Sequence, residues 1–141
     1  MATDRTSEVS ASYDEVAAEY VRRIAGELEH KPFDRELLDR FAAMFDASDT
    51  VCDVGCGPAH VARYLHERGI KVTGVDLSPE MVEQARMLNP ELDIRQGDMM
   101  SLDVPDDSWA GIVAFYSLIH IPRTDVARAL SELGRCLRPD G

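Results

Sequence analysis

Asp53, Gly55 and Gly57 stand together in the run DVGCG, and a second acidic residue, Asp76, follows in the run GVDLSPEM. Two glycines at that spacing let a backbone turn tightly and approach a ligand closely. A helix starting just after them offers N–H groups at its first turn. An acidic side chain at the place of Asp76 can accept from both hydroxyls of a ribose, the nucleoside-binding half of a Rossmann-type site. The dinucleotide fingerprint G-x-G-x-x-G/A is not met, because position 60 is His, which would crowd a pyrophosphate. Asp53 also sets a negative charge beside the turn, unfavourable for a diphosphate and favourable for a cationic ligand. A G-x-x-x-x-G-K-[ST] phosphate loop does not occur.

These residues need elements to position them. Residues 51–54 are a short β-favouring run that ends at the glycines. Val61, Ala62, Tyr64 and Leu65 then follow helical spacing, with Gly69 as C-terminal cap. Residues 71–75 read as a second strand, so Asp76 lies at its end. Ser78 and Pro79 start a helix, Ser as the cap and Pro in the first turn, and Asn89 with Pro90 stops it near Leu88. Residues 92–95 form a third strand, 97–109 a loop, and 110–116 a continuous apolar fourth strand. Thr124 caps a last helix carrying Val126, Leu130, Leu133 and Leu137.

Upstream, a capping box at Ser12 and Glu15 opens a helix with Val16, Ala17, Tyr20, Val21, Ile24 and Leu28 at helical spacing. Lys31 and Pro32 interrupt, and Phe33, Leu37, Phe41 and Phe45 mark a second amphipathic helix. Strands alternating with helices imply parallel pairing and right-handed crossovers. The expected fold class is α/β, a Rossmann-like doubly wound parallel sheet preceded by two helices. Three units follow: a flexible arm over 1–11, a helical cap over 12–47 and a ligand-binding sheet domain over 48–141. Ligands of such sheets sit at the C-terminal ends of the strands.

A chain of 141 residues suffices for one domain with a proper core. Lys plus Arg number 15 against 26 Asp plus Glu, a net charge of -11 that disfavours DNA or RNA as partner. No run approaches the ~20 apolar residues of a membrane helix. The polar start MATDRTSEVSASYDE lacks the apolar core of a secretory signal. Cys52, Cys56 and Cys136 make neither a disulfide framework nor a zinc site by spacing. The expectation is a cytoplasmic protein with buried thiols, no metal, no nucleic acid and no membrane. The acidic stretch 103–107 reads as solvated surface and Trp109 as core. Met81, Met99 and Tyr20 suit packing as well as ligand contact.

Four segments, VCDVGCGPAHVARYL, GVDLSPEMVEQAR, IRQGDMMSL and the terminal LRPDG, resemble in order and spacing the motifs of class I S-adenosylmethionine-dependent methyltransferases. The likeness is to the small-molecule branch called type 11 or type 25, and it spans residues 13–141. It implies S-adenosyl-L-methionine as cofactor and S-adenosyl-L-homocysteine as product. It implies that Gly55 and Gly57 line the methionine and ribose portion, and that Asp53 favours the positive end of the cofactor, directly or through water. Asp76 would take both ribose hydroxyls, while Leu77 and Met81 flank the adenine. Asp98 would accept from the adenine amino group, with Met99 supplying a backbone N–H. Tyr116, Ser117 and His120 would follow the fourth strand where methyl donor and acceptor meet, and Tyr13 and Tyr20 would close over the cofactor. For a hydroxyl or ammonium acceptor, His120 is a candidate general base. Orienting the substrate and bonding to backbone are equally open roles for it.

The family's sheet has seven strands, and this sequence supplies four before LRPDG, the turn that leads to the fifth. The expectations are a truncated chain and a fourth strand whose apolar edge invites a second copy, giving a homo-oligomer. The acceptor pocket would be open on one side. The leading functional expectation is methyl transfer to an unidentified small molecule. A cofactor-binding fragment without turnover and an NAD(P)-dependent oxidoreductase are the alternatives.

Overall fold

The computed structural model describes residues 19, 21–24 and 26–141; Tyr13, Tyr20 and the capping box at Ser12 and Glu15 lie outside them. Residues 21–24 are helical, and Glu27–His30 forms a separate 3-10 turn, so Leu28 does not continue the first helix as expected. Pro32 opens α1 (Pro32–Ala42), where its missing N–H leaves no helical bond unmade. The apolar stripe of α1 is split. Phe33 is 83% exposed and Leu37 57% exposed, while Leu38 and Ala42 are buried. Phe41 and Phe45, partly buried, pack edge to face with ring centroids 4.8 Å apart.

Four parallel strands, β1 (Thr50–Val54), β2 (Lys71–Asp76), β3 (Asp93–Gln96) and β4 (Gly111–Val113), form one sheet in the order β3-β2-β1-β4. They are joined through α2 (His60–His66) and α3 (Pro79–Leu88), and α4 (Arg123–Cys136) follows β4. Chain order reverses on the two sides of β1, so the topological switch point lies at the C-terminal end of β1, where the glycines are. Alternate side chains feed two cores. Val51, Val72, Ile94 and Val113 meet Leu38, Leu65, Val82 and Ala85 from the helices. Cys52, Val54 and Val75 meet Trp109, Leu133 and Cys136 on the other side. Full burial of residues such as Leu38 and Leu65 contributes roughly 1.5–3 kcal/mol each.

Local signals hold where expected at α3 and after α2. The Ser78 hydroxyl accepts from the Met81 N–H at 3.2 Å, and Gly69 takes a left-handed φ of 84°. Elsewhere the chain departs from expectation. Helix α4 begins at Arg123 after Pro122, so Thr124 lies inside its first turn and does not cap it. β4 stops at Val113, well short of 116. Residues 115–117 form a turn in which Tyr116 adopts a φ of 59°, a conformation no strand contains. The acidic stretch is not simply solvated: Arg135 on α4 donates to the carbonyls of Leu102 and Val104 and to Asp106. Just before β4 the chain's edge is occupied, since Trp109 donates to the Cys136 carbonyl and accepts from the Arg138 N–H, both at 2.9 Å. Among the described residues no helix is long and apolar enough to cross a membrane.

Gly111 marks where α1 rests on β4. A Cβ there would overlap the Phe45 ring at Cζ and lie 3.1 Å from Phe41 Cζ. Gly111→Val is therefore expected to push the aromatic pair off the sheet and to cost roughly 1–3 kcal/mol, read from the urea unfolding midpoint at constant m-value.

Candidate active site

The turn after β1 is built from three residues in the left-handed region: Gly55 (φ 71°), Gly57 (φ 55°) and Ala59 (φ 66°). Its donors are spent internally. The N–H groups of Gly55 and Cys56 both donate to the Val75 carbonyl, at 2.7 and 3.0 Å. Gly57 N–H donates to Asp76 Oδ2 at 2.9 Å, and Asp76 Oδ1 accepts from the Ser78 N–H at 3.0 Å. Ala59 N–H donates to the Cys56 carbonyl, and buried Asn89 donates to the Pro58 carbonyl at 3.2 Å. The N–H groups of Gly55, Cys56, Gly57 and Ala59 are thus already bonded. A pyrophosphate would find none of these four donors free, which weakens the case for a dinucleotide.

A cleft of about 230 Å³ opens beside this turn, lined in part by Asp53, Gly55, His60, Phe115, Tyr116 and His120. Asp53, at 2% exposure, has its Oδ2 buried and without a hydrogen-bond partner among the described residues. Burial pushes its carboxyl up to about 8; the Ala62 N–H bonded to it pulls the other way, and the nearby Asp76 charge adds to the rise. His60, the first residue of α2, brings Nε2 to 3.5 Å from Glu27 Oε2, and its Nδ1 is buried without a partner among the described residues. Burial holds its imidazole below the ordinary histidine range, against the pull of Glu27. Glu27 is also ion-paired with Lys31, whose Nζ lies 5.0 Å from the Tyr116 ring centroid. The Tyr116 hydroxyl donates to Asp34 at 3.2 Å. Ser117 is buried against Gly55, and its Oγ likewise has no partner among the described residues.

A parallel sheet with its switch point at a glycine turn is shared by many proteins; the sequence match decides among them. Residues 51–141 match the family described as a methyltransferase domain. The chain belongs to the class I methyltransferase family. The malonyl-[acyl-carrier protein] O-methyltransferase of Serratia marcescens is 30% identical over 137 residues, which cover 96% of this chain and 48% of that protein. The S-adenosyl-L-methionine-dependent Diels-Alderase iccD of Talaromyces variabilis is 34% identical over 103 residues, 67% of this chain and 35% of the other. The crystal structure of the YcgJ protein from Bacillus subtilis has a TM-score of 0.66 at 32% identity, covering 74% of this chain and 47% of that one. The chain spans about half the length, or less, of these relatives.

In this methyltransferase chain the expected site residues fall into two groups. Asp53, Gly55, Tyr116 and His120 line the cleft, His120 at the exposed end of a 3-10 turn, Leu118–His120. Asp76, Leu77 and Met81 gather at the end of β2 and the start of α3, with Leu77 exposed. Gly57 is not part of the cleft lining; its N–H bond to Asp76 ties the glycine turn to the second group. Asp98 lies exposed after β3, where its Oδ1 accepts from the Met100 N–H at 2.9 Å, and Met99 packs on the second core. Glu27, Lys31, His60 and Phe115 belong to the cleft lining and were not expected there. The i,i+4 spacing of Glu27 and Lys31 is a readable ion-pair signal. His60 was readable too, as the first helical residue after the glycine turn. All three cysteines are buried and free.

Proposed function

We propose that this chain binds S-adenosylmethionine in the cleft at the end of β1 and directs its methyl group to a small-molecule acceptor. The observation that carries the reading is Asp53: a carboxyl buried in a cleft wall with one oxygen unpartnered among the described residues. Such a group gains most from a cation. A turn whose own N–H groups are used up favours a ligand without phosphates, and family membership supports the same cofactor.

The residues present fit that group. Asp53 would hold its positive end, and the lone pairs that Asp76 still has free would accept from ribose hydroxyls. Gly55 and Gly57 would form the floor, Leu77 and Met81 would flank the adenine, and Asp98 and Met99 would meet its edge. Tyr116 and Ser117 would border the reacting centre, and Tyr13 and Tyr20 would close the site. Residues 48–141 would act as the cofactor-binding unit and residues 12–47 as its cap. Bound S-adenosylmethionine supplies an electrophilic methyl group on a sulfur that leaves readily. The chain's own part is alignment, exclusion of water and care of the acceptor's proton. His120 would take that proton from a hydroxyl or ammonium acceptor.

Calorimetric titration with S-adenosylmethionine, S-adenosylhomocysteine and NAD tests the cofactor, and labelled methyl transfer to a panel of small hydroxyl, amine and carboxyl compounds tests turnover. The expected result is tight binding of the first two, none of NAD, and methyl label in at least one acceptor. NAD binding tighter than S-adenosylmethionine would overturn the reading. Binding with no label transferred to any acceptor would reduce it to a cofactor-binding module.

A further inference from the structure

We propose that cofactor binding in this cleft exchanges a proton for a cation at Asp53: the free chain holds the carboxyl protonated, and the bound cation releases that proton to solvent. The inference rests on the functional reading above and deepens it by assigning a titration to one atom pair.

The geometry carries the argument. Asp53 ends β1 at the switch point, and no cationic side chain pairs with it among the described residues. The groups around it supply little to hold a charge. From α2 comes one backbone donor, the Ala62 N–H, and from the end of β2 comes Asp76, a like charge. The thiols of Cys52 and Cys56 stay neutral, since burial pushes both far up. Across the cleft, Lys31 is engaged by Glu27, His60 is held neutral by burial, and His120 and Tyr116 lie on the 3-10 turn and at its approach. A bare carboxylate with one oxygen buried and unpartnered is strongly disfavoured, so the cheaper state of the empty cleft is the acid. The upward shift of this group to about 8 points the same way.

The balance is simple. The Asp53 O–H bond breaks, its electron pair stays on the carboxylate, and the proton goes to buffer. The ligand's positive charge then faces the charge left behind. The sign follows from linkage. Below about 8 the free chain carries the proton and the complex does not, so binding releases it and affinity rises with pH. The rise approaches tenfold per pH unit and levels off above that value.

The test is calorimetry of the whole chain with S-adenosylmethionine near neutral pH, in phosphate, Hepes and Tris, whose ionisation heats differ. Nearly one proton released per cofactor is expected, and none in Asp53→Asn. Cofactor that binds with no proton exchanged overturns this proposal and leaves the functional reading standing; no binding at all overturns the functional reading first. A release that persists in Asp53→Asn and vanishes in His60→Gln assigns the titration to the imidazole and also overturns the proposal. Should Asp53→Asn fail to fold or bind, the assigned carboxyl carbon resonance of Asp53 in the wild-type free chain decides. Titration near or above neutral pH that drops into the ordinary carboxylate range on adding cofactor supports the exchange. Titration in the ordinary range without cofactor overturns it.

Discussion

In Asp76→Ala, affinity for S-adenosylmethionine is expected to fall roughly a hundredfold or more, because each hydrogen bond to a charged group contributes about 1.5–3 kcal/mol. The carboxylate has two tasks. Its oxygens already accept from the Gly57 and Ser78 N–H groups, so it holds the glycine turn against the start of α3. Its remaining lone pairs are the ones proposed to meet the ribose. Removing it leaves two backbone donors without their acceptor and also takes away the ribose contact. Thermal stability should therefore fall together with affinity. Asp76→Asn should weaken both tasks by less: it keeps one acceptor for the turn, while its amide nitrogen sets a donor against the other turn N–H and against a ribose hydroxyl. Calorimetry and thermal unfolding of both variants give the comparison. Unchanged affinity in Asp76→Ala would mean that the ribose does not bind here.

Gly55→Ala is expected to be the most damaging single substitution in the turn. A left-handed backbone costs an L-residue roughly 1–2 kcal/mol, and Gly55 sits at φ 71°. The added Cβ would also overlap the Ser117 Cβ and lie 3.1 Å from its Oγ. Ser117 is buried and cannot swing away into solvent. Overpacking of this kind adds roughly 1–3 kcal/mol, so the total is about 3 kcal/mol. The double variant Gly55→Ala with Ser117→Gly removes the overlap and keeps the backbone cost. It should recover roughly half of the lost stability in a urea-unfolding cycle. Equal stability of the single and double variants would show that the side-chain overlap is not what makes Gly55 necessary.

Features whose causes are local in the chain were legible from the sequence. Ser78 and Pro79 begin a helix, Gly69 ends one and Asp76 closes a strand, because each signal acts within a few residues of itself. Features set by distant partners were not. The run ending in Phe115 and Tyr116 has the composition of a strand. Tyr116 leaves the sheet all the same, and its hydroxyl binds Asp34 while its ring lies near Lys31. The partner of His60 is not readable from spacing, because Glu27, which faces it, belongs to the segment ahead of α1. Asn89 read as a helix stop, and its second task, holding the Pro58 carbonyl, depends on a contact across the fold. Periodicity alone placed Phe33 and Leu37 with Phe41 and Phe45, yet only the latter two reach the core. The placement of the glycines in a turn and of Asp53 and Asp76 at strand ends could be read from their spacing. The state of the turn's N–H groups, which argues against a diphosphate, could not be seen without the Val75 carbonyl opposite them.

That carbonyl has a consequence for how the chain reaches its native state. Val75 accepts from both Gly55 and Cys56, and the next residue, Asp76, accepts from Gly57. A slip of β2 by one residue against β1 would turn every side chain of the strand to the opposite face. It would also unhook the turn and carry Asp76 away from it. The chain cannot form a misregistered sheet and keep a competent cleft. A ligand that binds only the competent cleft therefore selects the correctly paired sheet by mass action. Supplied during refolding, the cofactor should act as a folding aid, raising the yield of native chain where strand pairing is the step that goes astray.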